Sequence, residues 1–110
     1  MKLPHGDHAI VEDAKLREYV LNPRHPVGKH HATLFDRLLG IELGNAEILK
    51  KALLWAAANE DVTREVATPY GLKFEIRFPL SGPRGEKRVV SVWISEEGSV
   101  RPRLVTCYVE

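Results

Sequence analysis

Histidine is the side chain whose ordinary titration lies nearest neutral pH, so the five histidines of this 110-residue chain are the first place to look for acid–base chemistry. His5 and His8 fall in a polar lead-in, where a mobile terminus accounts for them. His25, His30 and His31 fall within seven residues. A shared metal ion is disfavoured, because neighbouring helical residues point about 100° apart and no cysteine or carboxylate stands nearby at a ligand spacing. No metal and no cofactor is therefore expected. His25, between Arg24 and Pro26, reads either as a surface turn histidine or as a catalytic or phosphate-contacting group held by prolines. His31 shares a helical face with Leu34 and Phe35, so it is either a half-buried structural histidine or a proton carrier.

Phosphate chemistry would need cations and donors. Gly28 and Lys29 open a helix, where backbone N–H groups and a lysine can meet an anion. One glycine makes no phosphate loop, however, and no nucleotide-binding pattern occurs. Towards the C-terminus, Arg101, Arg103, Thr106 and Tyr108 cluster on a strand. Regular alternation would put Thr106 and Tyr108 on one face and Arg103 on the other, unless a bulge near Pro102 intervenes. Thr106 is either a strand threonine of good β propensity or a hydroxyl aimed at a phosphate oxygen. From Lys73 to Arg103 there are seven Lys or Arg (73, 77, 84, 87, 88, 101, 103) against four acids (75, 86, 96, 97), a local net of +3. That bias suits a solvated sheet face or backbone-directed RNA binding. The net charge of +1 confines any nucleic-acid site to a local patch.

These residues must be positioned by elements that the hydropathy pattern predicts. Residues 1–9 read as a loose, flexible lead-in, with Ile10 and Val11 extended. A helix runs from Asp13 to about Leu21, with Leu16, Tyr19 and Val20 inward, and Asn22-Pro23 stops it. A second runs from Lys29 to Leu39, with Gly40 as C-cap. A third starts at Asn45 as N-cap and ends near Asn59. The period then changes to two. Strands are expected over 62–67, 72–80, 88–95 and 103–109, with a turn at 68–71 and a loop at 81–85. Phe74, Ile76, Phe78 and Leu80 alternate with Lys73, Glu75, Arg77 and Pro79, which predicts one buried and one wet face. Helices first and strands second, with short connections, predict an α+β domain: about three helices packed on one face of a four-stranded antiparallel meander, spanning residues 10–110.

A single cysteine, Cys107, precludes an intramolecular disulfide. No signal-like segment follows Lys2 and no stretch approaches a membrane span, so a cytoplasmic location without membrane contact is expected.

Several phrases, taken in order, resemble an uncharacterised bacterial domain family. They are Lys15-Leu16-Arg17-Glu18-Tyr19-Val20-Leu21-Asn22-Pro23, His25-Pro26-Val27-Gly28, Phe35, Thr68-Pro69-Tyr70-Gly71, Pro79-Leu80-Ser81-Gly82-Pro83 with Gly85, Val92-Trp93-Ile94, and Pro102-Arg103-Leu104-Val105-Thr106 with Tyr108. Members of that family occur stand-alone and at the C-termini of filamentous-haemagglutinin-like and other polymorphic toxins. Their order of elements is similar to the barnase–EndoU–colicin–RelE group of ribonuclease toxins. The resemblance implies a toxin-like, metal-independent endoribonuclease that uses attack by the 2′-hydroxyl. It also implies RNA and a cognate antitoxin or immunity protein as partners. Under it, His25, His31, Arg103 and Thr106 would be catalytic, and Lys29, Tyr70, Tyr108 and Arg101 would bind substrate. Family members often carry lysine where this chain has His31. The alternative is a non-catalytic protein- or RNA-binding module, such as a neutralising partner or adaptor. The oligomeric state is not legible in the sequence.

Overall fold

A computed structural model describes residues 1–110. The first helix, α1 (Asp13–Lys15), winds on without a break into a π turn over Leu16–Val20. Pro23 then forbids further helix. The second, α2 (Lys29–Leu34), likewise continues as a π turn over Phe35–Leu39. Gly40 ends it in the left-handed region at φ 71°, as its sequence position predicts. The longest helix, α3 (Ala46–Asn59), follows a short 3-10 turn over Leu43–Asn45. Asn45, expected to cap α3 with its side chain, does something else. It accepts from the Glu42 N–H at 2.8 Å and donates to the Gly40 carbonyl at 2.9 Å. The 3-10 turn has moved the capping contact one turn upstream.

Four strands follow: β1 (Arg64–Thr68), β2 (Gly71–Gly82), β3 (Gly85–Glu96) and β4 (Arg103–Val109). They form one antiparallel sheet in the order β1-β2-β3-β4. The α+β class and the meander are those the sequence pattern predicts. The expected loop at 81–85 is shorter than anticipated. Gly82 pairs with Gly85, so Pro83-Arg84 alone makes the turn and the two long strands pair over their whole length. At the β1–β2 hairpin, Thr68 Oγ1 donates to the Gly71 carbonyl at 2.8 Å and accepts from the Tyr70 N–H.

One face of the sheet is dry. Phe74, Ile76 and Phe78 on β2, Val89 and Trp93 on β3, and Leu104, Cys107 and Val109 on β4 pack against Leu16, Val20, Phe35, Leu39, Leu49 and Leu53 from the helices. This burial drives the fold, and truncating a ring such as Phe35 or Trp93 to alanine would cost about 3–5 kcal/mol. Ser91 is the one buried polar residue. Its hydroxyl donates to the Ile76 carbonyl at 3.0 Å and accepts the Trp93 indole N–H at 2.9 Å. The core thus holds a hydroxyl with both of its capacities used.

Residues 1–9, read from sequence as a lead-in, contribute Leu3 and Ala9 to that core. Lys2 bridges to Asp61, and Gly6 lies where a Cβ would meet the Ala57 carbonyl. Ile10 pairs in parallel with Arg103 at the outer edge of β4. Its N–H donates to the Pro102 carbonyl at 2.8 Å, and its own carbonyl accepts from Leu104 at 3.0 Å. That bridge carries the start of α1 to the beginning of β4. No helix is long and apolar enough to cross a membrane.

Candidate functional site

The sheet's second face owes its chemistry to one irregularity. Ile94 pairs with Arg103, Val92 with Thr106 and Val90 with Tyr108. Two steps along β3 therefore match three along β4, and Val105 is the extra residue of a β-bulge. Regular alternation would separate Arg103 from Thr106. The bulge instead sets Arg103, Thr106 and Tyr108 on one face, opposite the core residues Trp93, Leu104 and Cys107. The His31 ring, from α2, stacks on Tyr108 with centroids 5.5 Å apart and planes inclined by 27°. Four residues singled out from sequence thus line up along β4.

At the Arg103 end lies a cleft of about 410 Å³, lined by Glu12, Ala14, Lys15, Glu18, Tyr19, His25 and Arg103. His25 meets Tyr19 edge-on at 4.9 Å, and Lys15 Nζ sits 5.6 Å from the Tyr19 ring centre. His25 Nδ1 accepts two backbone hydrogen bonds, from Val27 and Gly28, each 3.0 Å. A ring nitrogen that accepts carries no hydrogen, so the neutral ring has its hydrogen on Nε2. The ring organises the turn before α2 and offers an N–H on its far side. Gly28 is required there, because a Cβ would collide with the Tyr19 carbonyl oxygen. The imidazole and the close approach of Gly28 to Tyr19 set the start of α2 against the π turn that follows α1, with His25 in the cleft and His31 over Tyr108.

The electrostatics are mixed. Arg103, 45% exposed in its side chain, pairs with Glu96 at 2.7 Å and with Glu12 at 3.7 Å. Elsewhere on this face Arg77 pairs with Glu110 at 2.9 Å and with Glu75 at 3.3 Å. These two carboxylates raise its already high pKa, the Glu110 hydrogen bond most. Much of the basic bias counted in the sequence is therefore internally paired. Lys29 is exposed at the start of α2. Arg101, expected to bind substrate, donates through Nε to the His8 carbonyl at 2.8 Å, which anchors the N-terminal segment. Tyr70 is 78% exposed on the β1–β2 turn, two strands away from β4, and is not part of the cleft. Thr106 Oγ1 is buried and has no hydrogen-bond partner. Burial pushes the Cys107 thiol far up, so it stays protonated and unreactive.

Sequence reasoning missed Glu12, Lys15, Glu18 and Tyr19. The pattern puts Tyr19 inward and leaves Glu12 outside the helix, and only the Ile10–Arg103 bridge shows that these residues meet β4.

The chain belongs to the DUF6883 family, a domain of unknown function, whose model matches residues 2–110. Its fold is similar to a chain of the contact-dependent growth inhibition toxin–immunity protein complex from Klebsiella pneumoniae 342. The likeness has a TM-score of 0.70 and 16% identity, and covers 96% of each chain. At that identity the likeness shows the fold alone. No curated protein matches the chain.

Proposed function

We propose that this DUF6883 domain is a toxin-type, metal-independent endoribonuclease neutralised by a protein partner, and that it acts in the cytoplasm. The observation that carries the reading is the bulge-built row of Arg103, Thr106 and Tyr108, capped by the His31 stack at one end and opening on the His25 cleft at the other. In this reading the RNA backbone runs along the row. The His31 ring makes no hydrogen bond within the chain and serves as the proton carrier. It takes the 2′-hydroxyl proton as the O2′–P bond forms, and the P–O5′ bond breaks as a solvent water protonates O5′, the proton on His31 returning to solvent afterwards. The products are a 2′,3′-cyclic phosphate and a 5′-hydroxyl. His25 already accepts at Nδ1, so it acts as an N–H donor to a phosphate oxygen rather than as a base. Arg103 holds the phosphorane charge, and Lys29 adds field at the start of α2. The likeness to a chain from a toxin–immunity complex supports the expectation of a protein partner.

A second reading is favoured by one observation: the cleft sets Glu12 and Glu18 against Lys15 and Arg103, so it carries no net charge with His25 neutral. A balanced cleft suits a protein surface, as in an immunity or adaptor module. Inducible expression separates the two readings. Growth arrest, with RNA fragments ending in cyclic phosphate and lost in His31→Ala, supports the ribonuclease. Normal growth with intact RNA, from folded protein, supports the binding module.

A further inference from the structure

Arginine grips a phosphate best with two parallel N–H groups, and the side-on pair is Nε with Nη2. In Arg103 carboxylates flank both, one in close contact with Nη2 and one near Nε but beyond hydrogen-bond reach. Glu96 Oε1 lies 2.7 Å from Nη2, and Glu12 Oε1 lies 3.7 Å from Nε. The two come from different elements: Glu96 ends β3 and Glu12 precedes α1. All three side chains are about half exposed, so a ligand can reach them.

We propose that Glu96, assisted by Glu12, is an internal competitor for phosphate at Arg103, and so sets the affinity of this site for phosphodiesters. This rests on the proposed function only in taking Arg103 as the phosphate contact. Glu96 sits on the edge that a phosphodiester would use, with Glu12 close by, so binding is an exchange of one anion for another. An exposed ion pair is weak, and its exchange costs a factor of about two to five in affinity. The Arg103 charge is therefore compensated when the site is empty, and the site becomes available only to a polyanion that gains contacts elsewhere along the row. The alternative role for Glu96 is positioning: holding the guanidinium in the pose that phosphate needs. The two roles give opposite signs on removing the charge.

The test is binding of a fluorescein-labelled 2′-O-methyl oligoribonucleotide, which cannot be cleaved, at fixed low ionic strength. Glu96→Gln is expected to tighten binding about two- to fivefold. Glu97→Gln removes the same charge from the same turn without touching Arg103 and is expected to gain less. The Glu96→Gln gain should vanish in the Arg103→Ala background. Unchanged or weaker binding by Glu96→Gln overturns the proposal, as does an equal gain in Glu97→Gln or with Arg103→Ala. Failure of both wild type and Glu96→Gln to bind the oligonucleotide overturns it too. Cleavage of unmodified RNA is measured separately in the same samples. A gain in affinity without any cleavage would sink the ribonuclease reading and leave the competition standing.

Discussion

Thr106 offers a test in which stability and function should move in opposite directions. Its hydroxyl is shielded from solvent and has no hydrogen-bond partner, although its neighbours on the same face, Arg103 and Tyr108, are charged or polar. Burying a hydroxyl without a partner costs about 1–3 kcal/mol by protein mutational measures. Valine keeps the β-branched shape, suits the strand, and sits well against Val92 across the pair. Thr106→Val is therefore expected to stabilise the fold by about 1–2 kcal/mol, towards the low end because the isolated hydroxyl recovers some solvation through fluctuation. Equilibrium urea unfolding should show a higher midpoint at unchanged slope. Thermal unfolding should rise by roughly 4–8 °C per kcal/mol. If the hydroxyl turns to the substrate when the row is filled, the same variant loses RNA cleavage while gaining stability. A variant less stable than wild type by more than about 0.5 kcal/mol would refute the reasoning, since it would mean that the hydroxyl has a partner in the fold.

Other substitutions probe the remaining links. Ser91→Ala leaves the Trp93 indole N–H buried and unpaired, and is expected to cost about 1–3 kcal/mol in urea unfolding. His25→Ala strips the acceptor from the Val27 and Gly28 N–H groups, and should cost about 0.5–2 kcal/mol, as loss of a helix cap does. His25→Asn, which keeps a nearby acceptor, should recover much of that stability while still lacking the Nε2–H. The Lys50 hydrogen bond holds the Asp13 carboxyl below the ordinary carboxylate value of 3.8. The stability from that pair is thus full above the ordinary value and declines as pH falls through the folded one. Asp13→Asn should flatten this part of the stability–pH curve, and an unchanged acid limb would show that the pair contributes nothing.

Much of the architecture was legible because local rules agreed with the tertiary outcome. Phe74, Ile76, Phe78 and Leu80 alternate cleanly because β2 has one dry face and one wet one. Asn22-Pro23 and Gly40 end their helices for backbone reasons that need no partner. The candidate residues His25, His31, Arg103, Thr106 and Tyr108 could be named from type and spacing, but their grouping could not. It depends on the Val105 bulge, a property of register between two strands, and on the Ile10 bridge, a contact between segments about ninety residues apart. Charge misled for the same reason. The net +3 of the sheet half counts Arg77 and Arg103 as free, whereas the fold sets Glu75, Glu96, Glu110 and Glu12 beside them. Asn45 holds the N-cap position of α3 as expected, but its side chain serves the preceding 3-10 turn, which propensity alone does not foresee.

The central claim is that the row along β4 cleaves RNA without a metal. The most direct measurement is incubation of purified protein with a defined single-stranded RNA in excess chelator, with the 3′ ends analysed chemically. Fragments ending in 2′,3′-cyclic phosphate, lost in His31→Ala and in Arg103→Ala while both variants unfold near the wild-type urea midpoint, are the predicted result. RNA that stays intact over long incubation with folded wild-type protein, or cleavage that persists undiminished in His31→Ala, would contradict the account.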